Sequence, residues 1–411
     1  MAAGGAQGLV LQRHDHRGQT LLTFNRADVA YLTSDAGTAA LAQVARFALT
    51  DATLVADVAA VRDRFGAHGA ALVATTVLRR KAVTKFAGLA DIGEWLFTDE
   101  ALQQATTAAV ARHRAQRLAG HTVHDATCSV GTELAALRDV APVLLGSDID
   151  EVRLAMARHN VAGVPLCRAD ALHPVSRAAV VLLDPGRRSG GRRRFDPRAY
   201  APPLDDIAEV YRGRSTVVKC APGIDFDAVA QLGFDGEIEV TSSAGSVREA
   251  CLWSPALSTP GVRRRATVLD RDEHVTDADP DDCPVAPAGR WIVDPDGAVV
   301  RAGLVRQYAT RHGLWQLDPD IAYLTGDQLP DEVRGFEILD QLPLREKPLR
   351  QALSARDCGT LEILVRGVDV DPDALRRRLR PSGTQPISVV IARLGTGAAA
   401  RAVAFVCRPS R

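Results

Sequence analysis

The chain has 411 residues, which is too long for one average domain and favours two or three. Hydrophobic residues make up 46% and charged residues 24%, as in globular proteins, and a formal net charge of zero excludes a general attraction to nucleic acid. Met1–Val10 shows no signal peptide, no apolar run approaches the roughly 18 residues of a membrane span, and the seven cysteines form no CxxC pair or zinc-ligand cluster. We therefore expect a soluble, cytoplasmic protein with reduced thiols and no bound metal.

Residues 1–95 are predicted to form a mainly helical region. Apolar residues recur at helical spacing in Leu41–Ala48, Leu54–Val61 and Ala71–Val77. The basic segment Arg79–Lys85 follows, and it is either a solvated helix face or a contact for a phosphate backbone.

A helix is predicted to begin after Thr98 and to run to about Ala119. Thr98 is a favourable N-cap, and Asp99 and Glu100 place negative charge in the first turn. This helix either covers a binding cleft or packs as an amphipathic helix on the edge of a sheet, and both can hold.

The segment from Val123 onward reads as buried strands, each ending in or followed by an acid. Asp125 ends the first strand, Asp148 closes the second, and Asp170 follows the third. Small side chains alternate in the turn after the first strand: Thr127, Ser129 and Gly131. An acid about 20 residues beyond such a turn is placed to hold ribose hydroxyls.

The turn also limits which nucleoside cofactor can bind. Its glycine spacing is not GxGxxG, and no GxxxxGK[ST] motif occurs, so NAD and ATP both fit poorly. The layout therefore predicts S-adenosylmethionine, for which the backbone must pass close to the ligand and side chains must be small. The alternative is that each Asp separately ends a strand and caps a helix, but an ordered set of three favours the cofactor.

These motifs resemble those of class I methyltransferases, whose first motif runs acid-x-Gly-x-Gly-x-Gly. The glycine positions correspond to Thr127, Ser129 and Gly131, so this chain is poorer in glycine than the family. The resemblance implies an α/β fold with a doubly wound, mostly parallel, seven-stranded sheet, preceded by a helical region and followed by a small α/β domain.

The resemblance also implies roles for the cofactor-binding residues. Asp125 would lie near the methionine amino group, and Asp148 would take the ribose hydroxyls, with Ile149 next to it in the same set. Asp170 would accept a hydrogen bond from the adenine amine. The first turn of the helix capped by Thr98 would cover the methionine end, as in methyltransferases that act on nucleic-acid bases.

The apolar run Val180–Leu183 predicts a buried parallel strand that ends in Asp184-Pro185-Gly-Arg187-Arg188. Base-modifying methyltransferases carry Asp/Asn-Pro-Pro-aromatic here, where the acid and the next carbonyl hold an exocyclic amine. This chain keeps Asp-Pro and loses the aromatic residue, although a guanidinium can also stack on a base. We expect Asp184 to orient the nucleophile, with Pro185, Arg187 and Arg188 beside it.

The next predicted strand, Ser215–Cys220, offers a second chemistry. Lys219 could lower the pKa of the Cys220 thiol, which would then attack a pyrimidine ring as in C5 methyltransferases. A single cysteine in an apolar strand is more often a small core residue, and this interpretation is favoured. Lys219 is kept in the predicted catalytic set.

The stretch Arg187–Arg194 has five arginines in eight residues directly after the predicted catalytic acid. Arginines there could bind phosphates or stack on a flipped base. All but four of the 50 basic residues of the chain are arginines, which weakens the signal, but the position beside a strand end favours substrate contact.

Several separated motifs narrow the resemblance to bacterial class I methyltransferases followed by a THUMP-like domain, from about Phe47 to the end. They are Phe97-Thr-Asp-x-x-Leu-Gln-Gln-Ala-Thr, Asp184-Pro-x-Arg-Arg, Phe195-Asp-Pro-x-x-Tyr and Val218-Lys-x-Ala-Pro-Gly. We predict a methyltransferase domain at 96–270 with late strands at Gly236–Thr241, Arg248–Trp253 and Arg264–Leu269, an acidic linker at 271–289 and a THUMP-like domain at 290–411. In that last domain we predict one helix over Val299–Arg311 and another that begins at Asp371 and Pro372.

The leading hypothesis is an S-adenosylmethionine-dependent methyltransferase that modifies a base nitrogen in RNA. RNA would be held by the Arg187–Arg194 stretch and the THUMP-like domain, although that domain could equally be a structural lid or a dimer element. A small-molecule or protein methyltransferase is one alternative. A non-catalytic RNA-binding protein is the other, since Thr127 and Ser129 depart from the family motif.

Overall fold

The structure is a computed structural model that describes residues 13–14, 20–21, 23–86, 88–89, 91–187, 196–395 and 397–410. The chain forms two compact units. The first extends to Asp235 and includes Leu252–Leu257, and the second consists of Gly236–Cys251 and the residues from Ser258 onward.

The N-terminal part of the first unit is helical, as the apolar spacing predicts. Asn25 and Asp28 form a reciprocal capping box at the first helix, and Ser34 caps the second. The elements are β1 (Arg13–His14), β2 (Thr20–Leu21), α1 (Arg26–Leu32), α2 (Asp35–Val44), α3 (Leu54–Phe65) and α4 (Gly69–Lys85).

The basic segment at the end of α4 has partners within the first unit. Arg80 donates to the carbonyls of Ala45, Phe47 and Ala48, and Lys85 donates to those of Leu102 and Gln103. These cations donate to carbonyls at helix ends and in loops. The sequence suggested a solvated helix face or a contact for a phosphate backbone, and neither interpretation included these bonds.

The helix predicted from Thr98 to about Ala119 is wrong in its length. The structure has two shorter helices, α5 (Asp99–Gln104) and α6 (Ala108–Arg117). The backbone becomes extended at Ala105 and Thr107, where two β-branched threonines favour extended over helical geometry. Thr98 does cap α5, because its Oγ1 accepts the N–H of Ala101 at 3.0 Å.

Five parallel strands position the candidate site in the first unit. They pair in the order β5-β4-β3-β6-β9, so the chain moves outward from β3 to β5 and then returns to the other side of β3. Ligands gather at the carboxyl ends of strands where such a reversal occurs. The five strands are β3 (Val123–Asp125), β4 (Leu144–Asp148), β5 (Leu166–Arg168), β6 (Val180–Leu183) and β9 (Ser215–Cys220). Between β6 and β9 in the sequence, β7 (Gly186–Arg187) and β8 (Tyr200–Ala201) form a separate antiparallel pair.

The helices that connect these strands follow an aspartate, a glycine or a proline. Asp150 and Asp225 accept N–H groups at the starts of two of them. The helices are α7 (Thr132–Leu137), α8 (Glu151–Asn160), α9 (Leu204–Val210) and α10 (Phe226–Gln231).

The second unit begins with the late strands β10 (Glu237–Ser243), β11 (Ser246–Trp253), β12 (Arg264–Val268) and β13 (Glu273–Thr276). The last two residues of β11 belong to the first unit. β12 pairs in parallel with β10, and β13 pairs antiparallel with β12. Part of the predicted acidic linker is therefore a strand, because Val275 and Thr276 are buried in it.

A seven-stranded sheet, in the order β15-β16-β14-β17-β20-β19-β18, forms the rest of the second unit. One of its hydrophobic clusters packs helices α13 and α14 against β18, β19 and β20. Its elements are β14 (Trp291–Val293), α11 (Gly297–Ala302), α12 (Val305–Arg311), β15 (Trp315–Asp318), β16 (Ile321–Gly326), β17 (Gly335–Pro343), α13 (Glu346–Ser354), β18 (Cys358–Arg366), α14 (Pro372–Leu379), β19 (Gln385–Leu394) and β20 (Arg401–Pro409).

The helix predicted over Val299–Arg311 is interrupted. Gly303 adopts a left-handed conformation with φ of 74°, which ends α11 before α12 begins. The predicted start of α14 is confirmed, because Asp371 caps it and Pro372 is its first residue.

Across the described part of the chain, no helix is both long enough and apolar enough to span a membrane. The cysteines of the same part are all free, and no group of three or more His, Cys, Asp or Glu side chains there is arranged to hold a metal ion.

Candidate active site

A cavity of about 500 Å³ lies at the carboxyl ends of the parallel strands of the first unit, within the usual size range of small-ligand sites. Six predicted site residues line it: Thr127, Ser129, Asp148, Ile149, Asp170 and Asp184. The lining residues do not include five others of the predicted set: Thr98, Asp125, Gly131, Pro185 and Lys219. Arg188 lies outside the described residues, and only the backbone of Arg187 is described.

The turn after β3 is held in a conformation that brings its backbone to the cavity. Ser129 has φ of 49° and Gly131 has φ of 95°, both in the left-handed region. The N–H of Ser129 donates to Asp148 Oδ2 at 2.9 Å. A Cβ on Gly131 would meet Val161 Cγ2 at 2.9 Å, so this position requires glycine for two reasons.

Asp148 has both carboxylate oxygens fixed by main-chain donors. Oδ2 accepts from Ser129 and Oδ1 accepts from the N–H of Asp150 at 2.8 Å. Burial raises the pKa of Asp148, and these two backbone N–H groups oppose that shift. Each oxygen keeps a second lone pair, and Asp148 lines the cavity together with Ile149, whose apolar side chain is 62% exposed.

Asp125 is the most deeply buried of the predicted acids, with only 1% of its surface exposed. The N–H of Thr127 donates to Oδ1 at 3.2 Å, and Oδ2 has no hydrogen-bond partner among the described residues. Burial first, and then the nearby charge of Glu133, raise the pKa of Asp125 well above its ordinary value. This carboxyl is therefore held toward its neutral form.

Asp170 and Thr98 each accept a backbone N–H from a residue of the cavity wall. Asp170 Oδ1 accepts the N–H of Leu172 at 2.9 Å, and Leu172 is also part of the wall. Thr98 reaches the cavity indirectly, since it caps Ala101 and Ala101 lines the wall.

Asp184 connects the end of β6 to the turn after β3. Its N–H donates to Thr127 Oγ1 at 2.6 Å, and its Oδ2 accepts from Lys219 Nζ at 2.6 Å. The Asp184 side chain is 37% exposed, whereas Lys219 is 13% exposed. Cys220, in contrast, is buried in β9, where its Sγ lies 3.8 Å from the carbonyl oxygen of Val218.

The strands β7 and β8 pair antiparallel and flank the arginine-rich stretch, most of which lies outside the described residues. Gly186 in β7 and Ala201 in β8 belong to the cavity wall, together with Pro202 and Pro203. Among the described residues of the wall none is aromatic. The missing aromatic residue of the sequence motif is thus not replaced in that part of the cavity.

Two residues at the site carried no assignment from the sequence. Asn160 is buried at the end of α8, where it accepts from the N–H of Leu96 and donates to the carbonyls of Leu96 and Val130. Glu133, in the first turn of α7, lines the cavity. A lone acid directly before the apolar stretch Leu134–Leu137 is a weak signal for Glu133, and nothing in the sequence marks Asn160.

The site and the sheet together define a fold that binds a nucleoside cofactor at the reversal of strand order. The left-handed turn after β3 and the carboxylate of Asp148, which lies in the cavity wall and is held by two main-chain N–H groups, fit S-adenosylmethionine. These are features of the class I methyltransferase fold.

Comparisons with known proteins agree with this class. Two proteins of Mycobacterium tuberculosis, from strains CDC 1551 and H37Rv, are 64% identical over 358 residues, which is 85% of this chain and all of each relative. Both are described as uncharacterized S-adenosylmethionine-dependent methyltransferases. A family model described as THUMP domain-like matches residues 333–409, and one described as a domain of unknown function matches residues 25–82.

A solved structure from Porphyromonas gingivalis W83, provisionally assigned as a methyltransferase, superposes with a TM-score of 0.74 over 95% of this chain and 100% of that chain. Its identity is 18%, so it supports the fold alone. The chain belongs to the S-adenosylmethionine-dependent methyltransferases and carries a THUMP-like domain. The predicted fold class, enzyme class and cofactor are confirmed.

Proposed function

We propose that this methyltransferase modifies a base nitrogen in RNA. The observation that carries the proposal is the position of Asp184. This acid follows β6, lines the same cavity as Asp148 and Ser129, and is joined through its backbone to Thr127 of the cofactor turn. The residues that hold the acceptor group and the cofactor would thus be joined by a direct hydrogen bond.

The cofactor, when bound, supplies an electrophilic methyl group on a sulfonium. Asp148 would hold the ribose hydroxyls with lone pairs that its two backbone bonds leave available. Asp170 would accept from the adenine amine, and Ile149 would contact the adenine ring. Positioning is the main requirement of such a transfer, because the leaving group needs no protonation.

Asp184 would position the acceptor. With Oδ2 bonded to Lys219, its other oxygen remains to accept an N–H of an exocyclic amine and to direct the nitrogen lone pair into the cavity. Lys219 would hold the carboxylate in its orientation through the bond from Nζ to Oδ2. The proton that the amine loses after transfer can pass to Asp184 or to water.

Two features of the described residues support an RNA substrate. The strands β7 and β8, whose residues line the cavity, flank the arginine-rich stretch. In the second unit, exposed basic residues lie on and beside α13 and α14: Arg345, Lys347, Arg350, Arg377, Arg378 and Arg380. Three exposed acids on the same two helices or at their caps accompany them: Glu346, Asp371 and Asp373. Such a surface, with its excess of positive charge, suits a phosphate backbone.

The cavity wall itself favours a second candidate, an amine-bearing metabolite or lysine side chain. Its described charged residues are six acids and one cation: Glu100, Glu133, Asp148, Asp170, Asp184, Asp206 and Arg153. An acidic wall without an aromatic platform attracts a cationic amine as readily as a base.

The deciding experiment measures transfer of labelled methyl from S-adenosylmethionine into RNA extracted from a strain that lacks this gene. Wild type should label the RNA, and Asp184→Ala should not, whereas the control Glu209→Ala, an exposed acid on α9, should label as wild type does. Digestion to nucleosides then identifies the modified base. Cofactor binding without any label in RNA would refute the RNA proposal and direct the assay to proteins and metabolites.

The basic surface of α13 and α14 is tested by RNA binding at several salt concentrations. Each lost phosphate contact should reduce the slope of log affinity against log salt by about 0.7 to 0.9. We expect that reduction for Arg377→Glu and for Arg380→Glu, and no reduction for the control Arg401→Glu, an exposed arginine at the start of β20. An unchanged slope in both variants would exclude this surface from the RNA interface.

A further inference from the structure

A buried ion pair stands at the wall of the cofactor cavity. Arg114 NH1 of α6 lies 2.6 Å from Glu133 Oε1 of α7, and the two residues are 2% and 7% exposed. Glu133 nevertheless belongs to the cavity wall. Burying two charges is expensive even when they are paired, so a pair kept at a ligand site needs a second reason.

The carboxylate of Glu133 can serve a further cation. Oε1 lies 2.6 Å from Nη1 of Arg114, and neither carboxylate oxygen makes a hydrogen bond of normal geometry among the described residues, where the Thr106 hydroxyl is the other polar group that acts on them. Burial alone would raise the pKa of Glu133, but the charges of Arg114 and then Lys219 lower it below its ordinary value. The group therefore remains an anion in a desolvated place, where a charge-assisted hydrogen bond is strong.

Asp125 is the other acid at this end, and it differs from Glu133 in both charge and access. Asp125 does not line the cavity and tends toward the neutral form, as its raised pKa indicates, whereas Glu133 lies in the wall. The two carboxyls are close enough to repel one another, which favours one charge between them. Because Arg114 pairs with Glu133, its contact favours the negative charge on Glu133.

The position of Glu133 identifies the part of the cofactor it would meet. It lies two residues after Gly131, at the end of the turn whose Ser129 is bonded to the ribose acid. The nearby wall is built by Ala101, Gln104 and Ala105 of α5 and the turn after it. We propose that Glu133, held by Arg114, binds the ammonium group of the methionine part of S-adenosylmethionine, in place of Asp125. This proposal assumes only that S-adenosylmethionine binds in the cavity, and it does not depend on an RNA substrate.

The test compares two ligands by calorimetry: S-adenosylhomocysteine and its analogue that lacks the amino group. Neither carries a sulfonium, so the difference in their affinities reports on the ammonium. Wild type should prefer S-adenosylhomocysteine by about 10- to 100-fold, the range of one charged hydrogen bond. Glu133→Gln should remove most of that preference and leave the affinity for the analogue nearly unchanged.

Two control variants separate this role from a general effect. Glu100→Gln removes another wall carboxylate, which is bonded to Arg153 at 2.8 Å, and should keep the preference for the amino group. Asp125→Asn should also keep it. If Asp125→Asn removes the preference and Glu133→Gln does not, the ammonium belongs to Asp125 and the proposal is wrong.

Glu133→Gln leaves Arg114 buried without its counter-charge, so this variant could lose stability. The double variant Arg114→Met/Glu133→Gln removes both charges and carries the same test if the single variant does not fold. An equal loss of affinity for both ligands in the folded double variant would mean that the pair only shapes the cavity. If the wild type prefers S-adenosylhomocysteine as expected but does not label RNA, the RNA proposal is refuted and this one is not affected.

Discussion

The two halves of the cavity hold their acids in different ways. At the ends of β3 and β4, Asp148 is fixed by two main-chain N–H groups and is only 8% exposed. At the ends of β6 and β9, Asp184 is fixed by the side chain of Lys219 and is 37% exposed. The backbone thus fixes the first acid, and a flexible lysine stem fixes the second.

This difference separates binding from transfer. Main-chain donors cannot move without changing the turn, so the cofactor half is preorganised. A lysine can change rotamer, so the acceptor half can adapt to the group that enters. We expect substitutions in the first half to change cofactor affinity and substitutions in the second to change the rate of transfer.

The largest effect is expected for Asp148→Ala. The substitution leaves the N–H groups of Ser129 and Asp150 unpaired and removes the ribose acceptor, which together should weaken binding of S-adenosylmethionine by at least about 100-fold. Calorimetry measures it, with the exposed Asp139→Ala as the control. Wild-type affinity in Asp148→Ala would place the ribose elsewhere.

Lys219→Met tests the acceptor half. Removing the charge beside Asp184 should lower kcat with RNA by about 10- to 100-fold and leave the cofactor Kd within about threefold. Lys219→Arg keeps the charge and should recover part of the rate. A loss of cofactor affinity as large as the loss of kcat would show that the two halves are not separable.

Gly131→Ala tests how tightly the cofactor turn is packed. The added Cβ meets Val161 and the residue must keep φ of 95°, so we expect a loss of about 2 to 3 kcal/mol in the free energy of unfolding. Gly163→Ala is a matched control, because its φ is 87° and nothing lies within 4 Å of the new Cβ. Urea denaturation measures the free energy of unfolding of both variants. The cost of the positive φ is common to both, so any additional loss in Gly131→Ala comes from the contact with Val161. Equal losses in the two variants would mean that this contact costs nothing.

The arrangement of the acids could be predicted from the sequence for a clear physical reason. Parallel strands place their carboxyl ends at one edge of a sheet, so acids that follow successive strands must meet there. Asp148, Asp170 and Asp184 line one cavity as that reasoning requires. The low glycine content of the turn after β3 could also be read from the sequence. Ser129 in that turn adopts the left-handed conformation, at a position where the family motif has glycine.

Other parts of the site depend on tertiary contacts that have no local pattern. Asn160 and Leu96 are 64 residues apart and meet only because α8 packs beside the segment before α5. The Arg114–Glu133 pair likewise joins two helices, α6 and α7. The long helix predicted from Thr98 was wrong because the spacing of apolar residues does not reveal a single extended turn at Ala105–Thr107.

A smaller effect is expected from Asp125→Asn, and its sign depends on pH. Because burial raises the pKa of Asp125 in the folded state, the folded protein binds a proton that the unfolded chain has released. Wild-type stability therefore falls as pH rises from the unfolded pKa through the folded one. Asparagine cannot ionise, so the stability of the variant relative to wild type should increase as pH rises above about 4, the ordinary pKa of an aspartate.

Urea denaturation across that pH range measures the difference. The asparagine side chain that replaces Asp125 can still accept the N–H of Thr127 through its amide oxygen, so the comparison isolates the ionisation. The control Asp139→Asn, at an exposed acid, should show a difference that does not depend on pH in this way. A constant difference for Asp125→Asn would mean that Asp125 ionises normally within the fold.

The smallest effect is expected from Ser129→Gly, which restores the glycine of the family motif. Serine at φ of 49° stores about 1 kcal/mol of strain, and glycine relieves it but adds freedom to the unfolded chain. The free energy of unfolding should rise by about 0.5 kcal/mol, whereas Ser246→Gly, at the exposed start of β11, should lower it by a similar amount. A loss of stability in Ser129→Gly would mean that the serine hydroxyl contributes a contact of its own, and that the departure from glycine is an adaptation of this cavity rather than a tolerated strain.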